Sequence, residues 1–275
     1  MGAGENSGVT APRALRATLE FDGTRYRGWQ AQINARTVGG VFANAVRDAM
    51  GDGVRIFGAG RTDAGVHAFA QVASLHPPRP VPAAQLPLLT REINDHLPAD
   101  IHLRLLAPAP AGFHARHDAR LRIYRYRFSR RRTAFGKPYV WWVKDALDAA
   151  AMRSVASLFA GRHDFRSFCD NPDGHDSTLV EVAWAHVETP AAVPDLILFR
   201  IAASHFLWRM VRRLAGTLVE VGTGRLSLPR VVELLATRSA DPARWTAPPS
   251  GLFLEAVLYD GDPPPAEIDP LRPAF

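Results

Sequence analysis

Hydrophobic and polar residues alternate through LRATLEF (15–21), the period of two that turns one face of a strand toward a core. The period then lengthens. Thr37 has the hydroxyl of a helix cap, and after it Val38, Val41, Phe42, Ala45, Val46 and Met50 share one face of a helix. VRIF (54–57) and the region around AQVASLH (70–76) read as two strands, residues 83–97 as a helix, and IHLRLL (101–106) as another alternating strand.

The soft stretch APAPAGFHA (107–115) separates this passage from a second one with the same order. LRIYRYRF (121–128) alternates, DALDAAAMRSVASLF (145–159) is helical, and LVEVAWAHVE (179–188) and LILFRIAA (196–203) read as strands. Helices follow near 206–221 and 227–237, and GLFLEAVLY (251–259) is the last strand. Each passage reads β-α-β-β-α-β, the order of a ferredoxin-like unit. The expectation is an α+β protein of two ferredoxin-like domains, residues 13–109 and 110–260, joined into a mostly antiparallel sheet with a central cleft. Residues 1–12 read as a disordered tail and 261–275 as a proline-rich one. No sequence repeat accompanies the repeated order.

At 275 residues the chain is long enough to bury two cores. No apolar run approaches the ~20 residues that cross a bilayer. MGAGENSGVTAP carries no secretory signal, and Asn6 stands where a myristoylation motif needs Ser or Thr, so a cytoplasmic protein is expected. The single cysteine, Cys169, excludes an intramolecular disulfide and a multi-cysteine zinc site, and reads as partly buried and structural. A formal net charge of +6 and a sequence pI near 10.1 suit an anionic partner such as nucleic acid. Lys137 and Lys144 are the two lysines among 33 basic residues, and arginine grips phosphate and stacks on bases. A GC-rich genome produces the same bias, so composition alone leaves the partner open.

Three clusters carry candidate chemistry. In GAGRTDAGVHA (58–68), glycines surround one carboxylate, Asp63, two residues after Arg61. The run lacks the Gly-Lys-Ser/Thr ending of a P-loop, the spacing of a dinucleotide fingerprint and any serine. Its glycines let backbone turn sharply and a substrate approach closely. An aspartate there can serve as nucleophile, general base, metal ligand or turn cap. In FHARHDARLRIYRYRFSRRR (113–132), strand geometry points Arg122, Tyr124 and Tyr126 one way and Arg125 and Arg127 the other. The tyrosines offer planes for a base, and Arg116, Arg120, Arg122 and Arg125 can neutralise phosphates. The plainer reading is a solvated cationic strand over buried tyrosines. In SHFLWRMVRRLAGTLVEVG (204–222), Phe206, Met210, Leu214 and Val221 form an apolar helical face. An arginine on such a helix calls for an anionic partner, and Asp63 suits Arg212.

Together these clusters resemble the tRNA pseudouridine synthase A family, from about residue 15 to 260. The match begins with EFDGTRYRGWQAQ (20–32) and R-T-V (36–38), and GAGRTDAGVHA is its most specific motif. FHAR and Y-R-Y (113–116, 124–126), M-V-R with L-x-E-V-G (210–212, 218–222) and G-L-x-L (251–254) complete it. The resemblance implies a homodimer that converts uridine to pseudouridine in the anticodon stem-loop of tRNA, with no cofactor and no metal. It implies that Asp63 is the catalytic nucleophile, that Tyr124 stacks on the target uracil and that Arg212 orients Asp63. Arg61 would position the RNA, and Leu252 would line the base pocket. Four positions depart from the family pattern: Gly39 replaces a common glutamine, Val180 an arginine, His205 an asparagine, and Trp208-Arg209 the frequent pair before M-V-R.

Two other functions fit parts of the sequence. A non-catalytic RNA-binding protein would use the basic face but gain from losing Asp63, whose charge opposes phosphate. A metal-dependent hydrolase would need His114, His117 and the acidic run DNPDGHD (170–176), which lacks calcium-loop spacing and reads as a solvated turn. Trp141 and Trp142 read as core rather than as a base platform.

Overall fold

A computed structural model describes residues 13–263. Its first half contains β1 (Ala14–Phe21), α1 (Val38–Met50), β2 (Arg55–Gly58), β3 (His67–His76), α2 (Leu86–His96) and β4 (Ile101–Ala109). The second begins with β5 (Leu121–Ser129), β6 (Trp141–Trp142), α3 (Ala149–Ala156), β7 (Gly161–Asp164), β8 (Leu179–Glu188) and β9 (Leu196–Ala203). It closes with α4 (Met210–Gly222), α5 (Leu228–Ala236), α6 (Asp241–Arg244) and β10 (Leu252–Leu258). The expected tails at 1–12 and beyond 263 lie outside the described residues.

The strands form one open sheet in the order β4-β1-β3-β10-β5-β9-β8-β7, with β2 paired to β3 and β6 to β5. Pairing is antiparallel except at β5–β6 and at the seam between halves, where Phe253 and Leu254 of β10 lie parallel to His67 and Ala68 of β3. The first half stands β4-β1-β3-β2, and with the short β6 and β7 set aside the second stands β10-β5-β9-β8, so in both the order is fourth, first, third, second. One hydrophobic core joins them, from Leu15 and Phe42 through Tyr126 and Phe199 to Leu214.

Local chemistry sets the helix starts. Thr37 accepts from the Gly40 N–H at 3.2 Å and caps α1, as its hydroxyl predicts. Asp148 accepts from the N–H groups of Ala150 and Ala151 at 2.8 and 3.0 Å. The helix expected from 145 therefore begins at Ala149, and its last turn, Ser157–Phe159, tightens to 3-10 geometry. The helix expected from 206 begins at Met210 because Arg209 takes a left-handed conformation with φ of 60°.

Strand β5 departs most from expectation. Ile123 through Ser129 are buried on both faces, so the strand does not present a solvated basic side. Arg125, only 1% exposed, donates from Nε to Glu255 at 2.9 Å, and Glu255 of β10 is completely buried. Arg200 of β9 donates to the same carboxylate, from Nε at 3.1 Å and from Nη2. The Arg127 guanidinium lies 4.6 Å above the Phe253 ring. Conversely, Trp142 is not core: its indole is 37% exposed, with the Arg132 guanidinium 5.4 Å away. No helix among the described residues is long and apolar enough to cross a membrane.

Candidate active site

The loop between β2 and β3 is shaped by a second segment laid against it. Residues 23–29 run so close that a side chain at Gly23 would place Cβ 1.9 Å from the Val66 carbonyl oxygen. At Gly28, where φ is +89°, Cβ would stand 2.4 Å from the Thr62 carbonyl oxygen. Hydrogen bonds run between the same segments, from the Trp29 N–H to the Thr62 carbonyl at 3.1 Å and from the Gly65 N–H to the Tyr26 carbonyl at 3.2 Å. At the end of the loop, buried His67 accepts from the Gly23 N–H through Nδ1 at 3.1 Å and meets the Pro138 carbonyl through Nε2 at 2.9 Å. Tyr139 donates to Asp22 at 2.8 Å; burial and then that bond push its phenol up to about 12.

Asp63 is held across the two halves. Arg212, on the first turn of α4, donates from Nη1 to the Asp63 Oδ2 at 3.0 Å, and both side chains are mostly buried (13% and 22% exposed). The arginine is itself fixed: its Nε donates to the Ala247 carbonyl at 2.8 Å, and the Ala247 N–H donates back to its carbonyl at 3.0 Å. Such an arrangement aims the carboxylate. Tyr124 is buried, edge-on to Phe206 with ring centroids 4.9 Å apart. Burial, and after it the negative charge of Asp63, hold the Tyr124 phenol well above its ordinary range, so it is a neutral ring beside an anion. Leu252 is buried opposite Tyr126, whose hydroxyl donates to the Pro248 carbonyl at 2.7 Å.

Asp63, Arg212 and Tyr124 thus come together, and Leu252 stands one strand from Tyr124. Arg61 and Arg116 are exposed, and Arg120 is exposed but paired with Asp260 at 2.7 Å. Two of the arginines expected to contact RNA are engaged within the protein. Arg125 is sealed in the sheet against Glu255, and Arg122 spends its guanidinium on backbone carbonyls. Arg25 and Arg27, not singled out from the sequence, are also exposed on the segment covering the loop. Their signal was present in the R-Y-R of FDGTRYRGWQ. None of Arg25, Arg27, Arg61 and Arg116 has an ion-pair partner among the described residues.

Other candidates fall away. The Cys169 thiol is buried and pushed up to about 11 by that burial, which makes it a poor nucleophile. No group of three or more residues suited to hold a metal occurs among the described residues. His114 and His117 pack ring on ring at 4.2 Å, and His114 packs on Phe57. Asp170 of the acidic run is no solvated turn residue, since it pairs with Arg209 at 2.8 Å and with Arg213.

The chain is similar to proteins of known family. The profile of a family described as tRNA pseudouridine synthase matches residues 155–260. A Myxococcus xanthus protein named tRNA pseudouridine synthase A is 39% identical over 252 residues, 91% of this chain and 93% of its own. A protein of the same name from Moorella thermoacetica is 39% identical over 251 residues, covering 89% of this chain and 99% of its own. One from Solidesulfovibrio magneticus is 41% identical over 255 residues, with 89% and 90% covered.

Proposed function

The chain belongs to the tRNA pseudouridine synthase A family and isomerises uridine to pseudouridine in tRNA, and we propose that it acts on the anticodon stem-loop with Asp63 as its nucleophile. The observation that carries this reading is the Asp63–Arg212 contact, a carboxylate aimed by a fixed guanidinium beside a neutral buried tyrosine.

The reaction exchanges one bond for another. The N1–C1′ bond of uridine breaks, the uracil turns, and a C5–C1′ bond forms while the C5 proton is lost and N1 gains one. No electrons enter or leave, so the balance requires no redox partner. Asp63 supplies the electron pair of a transient bond to the ribose C1′ or the uracil ring, and recovers it when the new C–C bond closes. Arg212 keeps the carboxylate pointed. A uridine in a stem must first leave its stack, costing a few kcal/mol. Stacking on Tyr124, contact with Leu252 and phosphate contacts from Arg61, Arg116, Arg25 and Arg27 offset that cost.

We read each half, residues 13–109 and 110–260, as a ferredoxin-like unit; the shared fourth-first-third-second strand order supports this. A homodimer working in the cytoplasm completes the proposal, on family resemblance. The test is nucleoside analysis of unmodified tRNA incubated with the protein and with Asp63→Asn, mapped to position. Pseudouridine in the anticodon stem-loop from the parent and none from a mutant that still binds tRNA is expected. Product from both would remove Asp63 from its role.

A further inference from the structure

Resting on the assignment of Asp63 but going beyond it, we infer that Arg122 is a positioning residue that clamps the Asp63 loop to the second half of the chain, and is not an RNA contact. Its Nη1 donates to the Ser204 carbonyl at 2.6 Å and to the Ala119 carbonyl at 3.0 Å. Its Nη2 donates to the Arg116 carbonyl at 2.6 Å and to the Ala59 carbonyl at 3.1 Å. These four oxygens lie on three separate segments. Ala59 begins the loop carrying Asp63, residues 116–119 lead into β5, and Ser204 follows β9 two residues before Phe206.

Each tether bears on a group at the site. The Ala59 N–H donates to the Val72 carbonyl at 2.8 Å, so with Arg122 on its carbonyl the residue is fixed at both ends. Phe206 packs on the edge of Tyr124, and Tyr124 is two residues from Arg122 along β5. One cation therefore sets the spacing between the Asp63 loop, Tyr124 and Phe206. Four carbonyl dipoles converge with their negative ends on it, which suits a delocalised guanidinium and no neutral side chain. An arginine has five N–H donors, and its two Nη groups hold all four of these oxygens, leaving little for a phosphate. Burial lowers its pKa, yet an arginine stays protonated in proteins.

A phosphate contact and a clamp respond differently to substitution. Arg122→Lys retains the charge, which restores a phosphate contact, but its compact ammonium cannot span carbonyls on three segments. The measurements are the single-turnover rate of pseudouridine formation at saturating tRNA, and tRNA affinity across a salt series, for Arg122→Lys and Arg122→Met. The clamp predicts a rate lowered about 10–100-fold in both, the scale of a misplacement near 1 Å. It also predicts affinity within about 3-fold of the parent and an unchanged salt slope. A slope lowered by about one, weakened binding, a retained rate and rescue by lysine would overturn it in favour of a phosphate contact. If Arg122→Met does not fold, Arg122→Lys decides. If neither folds, the residue serves the fold as a whole and the inference fails. Asp63→Asn run alongside separates the two claims. An active Asp63→Asn sinks the reading of the site, whereas an inactive one beside fully active Arg122 variants sinks only the clamp.

Discussion

Substituting Glu255 by glutamine removes one negative charge from the middle of the sheet and keeps the side-chain volume. In the native protein that carboxylate is fully buried and accepts from Arg125 and twice from Arg200. Glutamine replaces one acceptor oxygen with an NH2 group, which faces guanidinium N–H groups and cannot bond them. Two cations, one of them 1% exposed, then lose the anion they were built around. Breaking a buried pair from one side costs about 3–5 kcal/mol, a fifth or more of a typical total of about 5–15 kcal/mol. At about 2–4 °C per kcal/mol for a chain of this order of size, the melting temperature should fall by roughly 6–20 °C. Thermal unfolding followed by circular dichroism reads this directly. The companion variant Arg125→Met, Arg200→Met and Glu255→Met should recover much of the loss, because an apolar trio of similar volume needs no partner. A fall smaller than about 2 °C for Glu255→Gln would refute the reasoning, since it would mean solvent already screens the cluster.

Arg212→Lys keeps a charge near Asp63 but loses the bond to Ala247, and should slow pseudouridine formation on the order of 100-fold while tRNA affinity stays within about 3-fold; single-turnover kinetics beside filter binding separates the two. Gly28→Ala should cost about 1–3 kcal/mol, from the positive φ and the 2.4 Å approach to Thr62, and a urea midpoint equal to the parent's would show that residues 23–29 yield freely. Asp262 is held below the usual carboxylate range, chiefly by its bond from Arg16, so its contribution is present above the unfolded pKa near 3.9 and is lost as pH falls through the lower folded value. Asp262→Asn should therefore be less stable by about 1 kcal/mol at pH 7, with the gap closing as pH is taken below about 3; a gap that persists in acid would contradict the linkage.

Much of this protein was legible in its residues because its elements obey local rules. Alternation in LRATLEF gave β1, and Thr37 marked the start of α1, because both signals act within a few residues. The Arg212–Asp63 pair was legible for a different reason: a cation on an apolar helix face demands an anion, and the glycine-rich loop held the obvious one. What escaped was set by distant partners. Arg125 looked like a phosphate ligand because nothing near it announces Glu255, 130 residues away. The late start of α4 coincides with the left-handed conformation of Arg209, which spacing along the chain does not reveal. The short strands β6 and β7 carry too few residues for any period to show.

The parallel seam between β3 and β10 has a consequence for how the molecule comes into being. His67 meets Phe253 there, and Arg212 must arrive before Asp63 has its partner. During synthesis at about 5–20 residues per second, the stretch between the two sides of the seam takes roughly 10–40 s to appear. Through that interval the first half waits on the ribosome with the start of β3, beyond its pairing with β2, uncovered and its aspartate without Arg212. A polypeptide released before β10 would expose the start of β3 as a bare strand edge, a surface prone to pairing with another chain.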